Sequence, residues 1–364
     1  MNSVYLAGSG LACALGLDIP SSLACLRRGG VPPTPVAAAP GFSWPVYTLP
    51  EPPGSPVPAT WLERARQFIC GAAAESGGLA VRTGPLFVAS SSVDVGHREQ
   101  SAEFGGDVHV LADRVAAWLD WQGPVFTVST ACTSSMNAVL SAATLIRRGE
   151  TDHALVLGVE LSNRLTVAGF GAMQLLAPEQ ARPFGAERNG LVLGEAVAAL
   201  HLSSSPARWR IAGGANVVDG RDPAGTVASA ITAMCREALA QSGLAPGDID
   251  LIKPQAAGSP GNDAIEAGAL KEVFEPMPAL VSLKSSIGHT LGAAGAAEIA
   301  LLTACLEEAP PCWPRTGYPL DETLRVALSE QAPAPLRHVL ASIIGFGGGH
   351  AAVVLEDTHE RPAP

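Results

Sequence analysis

The chain has 364 residues, 47% of them hydrophobic and 16% charged, enough to bury one large core or two tightly packed halves. Its 23 basic against 34 acidic residues give a formal net charge of −11, which argues against a nonspecific nucleic-acid binder or a polybasic membrane-surface protein. Seven cysteines without a CxxC pair, no basic segment leading an apolar signal core, and no uninterrupted apolar run long enough to span a bilayer predict free thiols in the cytoplasm.

Taken in chain order, VYLAGSGL (4–11), GPLFVASSSV (84–93), VFTVST (125–130) and HALVLGVEL (153–161) are short, nearly continuous apolar runs. They read as strands buried on both faces, with helical patterns between them, including one at 107–121. The segment 32–58 holds ten of the thirty prolines, which predicts an irregular surface wrap or a disordered linker, because proline fixes φ and removes a donor.

SSSPAR (203–208) reads as a linker. Beyond it the alternation resumes with WRIAGGANVV (209–218), DLIKPQAAG (250–258), ALVSLKSSIG (279–288), VLASIIGFGG (339–348) and AAVVLE (351–356), with helices predicted at 226–242 and 262–274. The expected organisation is an α/β fold of two similar halves, 1–205 and 206–357, followed by a loose tail at 358–364.

Four segments can carry chemistry: 128–149, 181–198, 284–298 and 343–356. Cys132 lies where the strand VFTVST meets a helix whose apolar face is Met136, Val139, Leu140, Ala143 and Ile146. Free N–H groups and the positive end of the helix dipole there favour a thiolate, although a buried small residue would look the same in isolation. His289 precedes the small-residue run Gly292–Ala296, which allows close backbone approach. Lys284 ends an apolar strand and needs an acid partner, for which Asp263 and Glu266 are the candidates. The GFGGG run containing Phe346 and Gly347 can aim N–H groups at a developing oxyanion. No HxxxH, CxxC or carboxylate cluster suggests a metal.

In this order and at these spacings, TACTSS (130–135), RPF…RNGLVLGEA (182–196), KSSIGHTLGAAG (284–295) and GFGG (345–348) resemble the β-ketoacyl synthases, condensing enzymes of fatty acid and polyketide synthesis. The resemblance runs from VYLAGSGLACALG to the closing turn and is poor only over about 31–80. It implies a thiolase-like five-layered α-β-α-β-α sandwich, usually dimeric, that needs no cofactor. By position, Cys132 would be the acyl-carrying nucleophile and His289 the histidine of the GHxxGAAG motif. Lys284 would be the acid-paired lysine, with Glu266 as its partner, and Phe346 the gate. The amides of Cys132 and Phe346 would form the oxyanion hole, with Phe184 and Glu195 in structural positions.

The departures are specific. Where the family reads HGTxTxxxD, this chain reads Gln255-Ala256-Ala257-Gly258-Ser259-Pro260-Gly261-Asn262-Asp263, so Gln255 replaces the second active-site histidine. The RDG triplet is Arg188-Asn189-Gly190, and the asparagine after the glycine-rich turn is His350. An amide donates a hydrogen bond but cannot act as an acid or base.

The resemblance therefore implies acyl transfer from a carrier protein to Cys132, with decarboxylative condensation onto a malonyl unit. The alternatives are a chain-length-factor-like subunit of a ketosynthase heterodimer, in a type II polyketide or polyene-type pathway, and a non-decarboxylative acyl transferase. The implied partners are an acyl carrier protein and a second synthase subunit, identical or not, with no nucleic acid and no membrane.

Overall fold

The computed structural model describes residues 2–51, 59–103, 105–221 and 225–359. Ten strands form one sheet: β1 (Tyr5–Cys13), β4 (Leu86–Ala89), β5 (Val125–Val128), β6 (His153–Glu160), β8 (Ala196–Ser203), β9 (Trp209–Val218), β10 (Leu251–Lys253), β11 (Ala279–Leu280), β12 (His338–Ile344) and β13 (Gly349–Asp357). Their order is β11-β10-β12-β13-β9-β1-β8-β6-β4-β5. All strands on one side of the β9/β1 junction come from before residue 204, and all on the other side from after 208. The junction itself is thin, with only Tyr5 opposite Arg210 and Leu6 opposite Trp209.

The helices are α1 (Ile19–Arg27), α2 (Trp61–Glu75), α3 (Val95–Ser101), α4 (Val110–Leu119), α5 (Ser134–Arg147), α6 (Arg164–Ala172), α7 (Ala228–Ser242), α8 (Pro260–Val273), α9 (Lys284–Ile287) and α10 (Ala294–Glu307). α5 lies on β6 and β4 but also touches β13 and β9, while α10 lies on β8 and β1 but also touches β12. These two helices are therefore held between the sheet's two halves. α2 and α4 cover the outer face of one half, and α7, backed by α8, covers the other. The result is the α-β-α-β-α layering of the thiolase-like fold.

A central position demands apolar surface all round, and α10 has it: from Ala294 to Leu306 only Ala304 is not buried. Its approach to α5 depends on the absence of a side chain at Gly295, where a Cβ would stand 2.7 Å from the Met136 nitrogen. One hydrophobic cluster joins α5, α10 and the facing strands of both halves, and a separate cluster fills each outer layer. α2 starts at a reciprocal cap, in which Glu63 N donates to Thr60 Oγ1 (3.2 Å) and Thr60 N donates to Glu63 Oε2 (2.8 Å).

Three expectations need correction. The proline-rich segment is not irregular throughout: β2 (Thr34–Ala39) and β3 (Phe42–Tyr47) form an antiparallel hairpin, and β3 pairs with β7 (Leu193–Gly194). Pro35 faces Pro45 across the hairpin, so the two residues lacking an N–H share one rung and cost the ladder least. The rest of that expectation, over 52–58, lies outside the described residues, as does the expected tail beyond 359. The strand at 125–128 is not buried on both faces, because it is an edge strand with Phe126 42% exposed. Residues 196–203, between β1 and β6, form a central strand that apolar runs did not reveal. The helices expected at 107–121, 226–242 and 262–274 are α4, α7 and α8.

Candidate active site

β5 ends at Val128 and α5 begins at Ser134, so Cys132 sits in the turn that joins them. Ala131 is left-handed (φ +51°), a conformation that strains an alanine. Three side-chain hydrogen bonds hold it there: Thr130 N donates to Ser134 Oγ (2.9 Å), Ser134 Oγ donates to the Ala131 carbonyl (2.6 Å), and Thr133 Oγ1 donates to the Thr130 carbonyl (2.7 Å). The hydroxyl-rich sequence around the cysteine is what makes this sharp turn affordable, and the turn aims the thiol inward.

His289 follows Gly288, whose φ of +71° suits glycine and whose absent Cβ would lie 2.6 Å from the Leu193 carbonyl oxygen. The histidine backbone is then pinned: its N–H donates to the Val192 carbonyl (2.7 Å) and its carbonyl accepts from Gly194 (3.0 Å). Nε2 comes to rest 3.1 Å from Cys132 Sγ. Nδ1 is buried without a partner among the described residues.

Gln255 is two residues past the end of β10. Its side-chain Nε2 lies 3.5 Å from His289 Nε2, and its Oε1 is buried with no partner among the described residues. Cys132, His289 and Gln255 line one cavity with Phe170, Ile344 and Phe346. Its free space is only about 30 Å³, room for a water or two. The Phe346 ring closes it by stacking on Phe170 (centroids 5.3 Å apart, planes within 9°).

Phe346 opens the glycine-rich turn, in which Gly347 and Gly348 have φ of +78° and +73°. A Cβ on Gly348 would fall 1.5 Å from the Asp219 carbonyl oxygen, so the turn needs glycine there on two counts. The turn delivers the Phe346 amide to the Cys132 sulfur.

The predicted pairing of Lys284 with Glu266 is incorrect. Both Glu266 oxygens are taken by backbone amides, accepting from Gln255 N (2.7 Å) and Ala256 N (2.8 Å). Asp263 does the same for Ala257 and Gly258 (each 3.2 Å at Oδ1) and for Phe184 N (2.9 Å). These two acids shape the turn after Gln255, and among the described residues neither makes an ion pair with a lysine.

Lys284 instead binds Glu298 of α10, which also binds Lys253 of β10; all three are 0–1% exposed. Lys253 Nζ further donates to the Ser342 carbonyl (2.7 Å). Sequence reasoning missed Glu298 and Lys253. The available signal was an acid inside an otherwise apolar helix and a lysine inside an apolar strand, each needing a partner.

Burial dominates the site's electrostatics. It pushes the Cys132 thiol up to about 11, despite the Phe346 amide and the Lys284 charge, so desolvation outweighs the lowering expected from the helix start. Burial, then the Lys284 and Lys253 cations, hold His289 well below its usual range, which keeps the imidazole neutral. Burial likewise raises Asp263 to about 6 and Glu266 to about 7, and lowers Lys253 to about 8 in spite of Glu298.

The remaining expected residues lie outside the cavity. Glu195 accepts from Arg64 (2.9 Å), Ser162 N and Leu49 N, and ties three segments together. Arg188 binds Asp321 (2.6 Å), and His350 meets Thr226 Oγ1 (3.2 Å). Among the described residues no helix is long and apolar enough to cross a membrane.

Two family models match the chain: the β-ketoacyl synthase N-terminal domain over residues 77–207 and the C-terminal domain over 210–312. The highly reducing polyketide synthase alnA of Emericella nidulans is 32% identical over 289 residues, covering 71% of this chain and 12% of that protein. The chain thus spans about a tenth of the length of the polyketide synthases it matches. The 3-oxoacyl-[acyl-carrier-protein] synthase 2 of Coxiella burnetii is 29% identical, covering 69% of this chain and 66% of that one. Among solved structures, one of the ketosynthase ApeO in complex with its chain length factor ApeC, from Xenorhabdus doucetiae, superposes with a TM-score of 0.84 at 25% identity, covering 98% of each chain. A β-ketoacyl synthase from Burkholderia phymatum has the same fold (TM-score 0.82, 23% identity, 99% of this chain and 100% of that one).

Proposed function

The chain belongs to the β-ketoacyl synthase family, and from that premise we propose that it loads an acyl chain from a carrier protein onto Cys132 and condenses it with a malonyl unit. The observation that carries this reading is the 3.1 Å contact between Cys132 Sγ and His289 Nε2 in a cavity that Gln255 and the Phe346 gate complete. The half up to about residue 205 supplies the nucleophile, and the half from 206 to 357 supplies the donors, the lysines and the gate.

In the loading step, Sγ attacks the acyl thioester carbonyl, the C–S bond to the carrier breaks, and the thiol proton leaves with the departing carrier thiol. His289 is neutral and within hydrogen-bond reach, so it can pass that proton without retaining it. Phe346 and Cys132 supply amides for the oxyanion.

In the condensing step, the malonyl carboxylate leaves as CO₂ and its electron pair becomes an enolate. The enolate carbon attacks the acyl-cysteine carbonyl, and the Cys132 thiolate leaves and takes up one proton. His289 and Gln255 act as hydrogen-bond donors to the malonyl thioester oxygen, where negative charge develops. No step requires a cofactor.

The seven free cysteines support a cytoplasmic setting, and the half-exposed edge strand β5, with Phe126 at its surface, is the proposed seat of a second synthase subunit. Gln255 favours one further reading, a non-elongating subunit of a ketosynthase heterodimer, for which likeness to chains from ketosynthase and chain length factor complexes is added support.

The test is intact-mass measurement after exposure to acyl-carrier protein, followed by malonyl-carrier protein with detection of CO₂. The expected result is one acyl adduct on the wild type, none on Cys132→Ala, and CO₂ release dependent on the malonyl carrier. An adduct without CO₂ supports the non-elongating subunit, and no adduct refutes the nucleophile assignment.

A further inference from the structure

Behind His289 two lysines, Lys253 and Lys284, hold the two oxygens of a single buried carboxylate, Glu298. Lys284 alone would balance that carboxylate. The second ammonium adds a further positive charge in a place from which water is excluded, with Glu266 of α8 facing it, and such a charge is expensive unless something nearby uses it. Lys253 sits at the end of β10, between β11 and β12, where an apolar residue would fit the strand pattern.

We infer that Lys253 is a positioning residue for the reaction: it acts through Glu298 and Lys284 as the second cation of a charged relay that eases ionisation of Cys132 and keeps His289 neutral. The inference rests on Cys132 being the nucleophile.

The groups facing this relay come from several elements. Glu160, at the end of β6, opposes the Cys132 thiolate, whereas Lys284 favours it. Lys284 and Lys253 both oppose charge on His289. Glu266 of α8 faces Lys253 and is itself opposed by Asp263, which Arg188 in turn faces. Glu160 is fully engaged, accepting from Ser91 N (2.9 Å), Ser92 N (3.1 Å) and Gly292 N (2.9 Å), so it cannot swing away to relieve the thiolate. The lysine pair is the counterweight within the described residues. Burial lowers Lys253 to about 8, so its charge is present at neutral pH and withdrawn at mildly alkaline pH.

The test is the rate of Cys132 carbamidomethylation by iodoacetamide from pH 6 to 10, read by peptide mass spectrometry, in the full chain and in Lys253→Met. The wild-type logarithmic profile is expected to rise with a slope below one above about pH 8, because the cation that backs Lys284 through Glu298 is lost there. Lys253→Met should react several-fold more slowly than wild type at pH 7, and its profile should lack the break. A merely structural lysine would lower the melting temperature and leave the profile's shape unchanged.

A wild-type profile of unit slope throughout overturns the inference even if the variant fails to fold. So does a variant rate equal to the wild type at pH 7, or a break that persists in the variant and therefore belongs to Glu266. Failure of acyl loading with the alkylation break intact would count against the nucleophile reading alone.

Discussion

Replacing Gln255 with histidine changes one hydrogen-bond donor and little else, because the backbone at this position is fixed independently of the side chain. The Gln255 and Ala256 amides are held by Glu266, and the Ala256 carbonyl by Ser282 Oγ (3.0 Å), so a new imidazole would project from the same anchor. In the wild type the carboxamide nitrogen is 3.5 Å from His289 Nε2, and its oxygen is buried without a partner among the described residues. Losing an oxyanion donor outright costs about 10²–10³ in rate, or roughly 2.7–4 kcal/mol. The amide is itself a neutral donor and recovers part of this, so Gln255→His should gain about tenfold, near 1.4 kcal/mol, in malonyl decarboxylation. The matching loss appears in Gln255→Ala, expected to decarboxylate at least tenfold more slowly than wild type. The assay is release of labelled CO₂ from carboxyl-labelled malonyl-carrier protein, with Cys132 acylation followed in parallel by intact mass. Acylation should stay within about twofold in both variants, because loading depends on His289 and the Phe346 amide. Equal decarboxylation by wild type, Gln255→His and Gln255→Ala, with acylation intact, would refute the assignment of residue 255 to the malonyl carbonyl.

Phe346→Ala removes the ring that stacks on Phe170 over a cavity holding only about 30 Å³, so a bulky maleimide should label Cys132 several-fold faster; an unchanged rate would mean the gate is elsewhere. Thermal stability should also carry a signature of the buried carboxyls. Asp263 and Glu266 have folded pKa values raised by burial to about 6 and about 7, so the folded state holds their protons more tightly than the unfolded chain does. Their contribution is fully present below the unfolded values near 4 and is lost as pH rises through 6 to 7. Lys253 is depressed to about 8, so the unfolded chain binds more protons between about 8 and 10.4 and stability recovers over that range. In the difference between wild-type and variant melting curves from pH 5 to 10, Asp263→Asn with Glu266→Gln should remove a loss of stability that runs up to about pH 7, and Lys253→Met should remove a gain that begins above about pH 8.

The parts of the fold legible in the sequence are those in which one requirement dominates. A strand covered on both faces needs a nearly unbroken apolar run, and 153–161 and 339–344 show it, as β6 and β12. β8 is equally central but reads AVAALHLS, where alanines fit the tight space under α2 and α10 and carry little strand signal of their own. The hairpin at 34–47 was hidden because its prolines argue against a sheet until they are seen to face one another. Cys132 could be placed at a strand-to-helix turn because hydroxyl side chains signal the strained turn directly. Glu298 could not be assigned, because Lys284 lies 14 residues away in sequence and only the packing of α10 between the halves brings the two together.

The identity of residue 255 and the lysine pair behind Glu298 bear on one chemical variable, the charge of His289. An imidazole at 255 could share a proton with His289 across the observed 3.5 Å, and the pair would then titrate as a unit. A carboxamide cannot be protonated in this range, so Gln255 removes that route, and the Lys253 and Lys284 cations oppose protonation of His289 from the other side. Among the described residues Nδ1 is unpaired and no carboxylate is hydrogen-bonded to it, so none of them stabilises imidazolium at the ring. A stable thiolate–imidazolium pair, as in Cys-His hydrolases, is therefore the wrong resting state for this site. In the proposed loading step Cys132 rests as a thiol and loses its proton only as the carrier thiol departs, which would couple ionisation of the nucleophile to the arrival of its acyl donor and make the empty site slow to react with water-borne electrophiles at neutral pH.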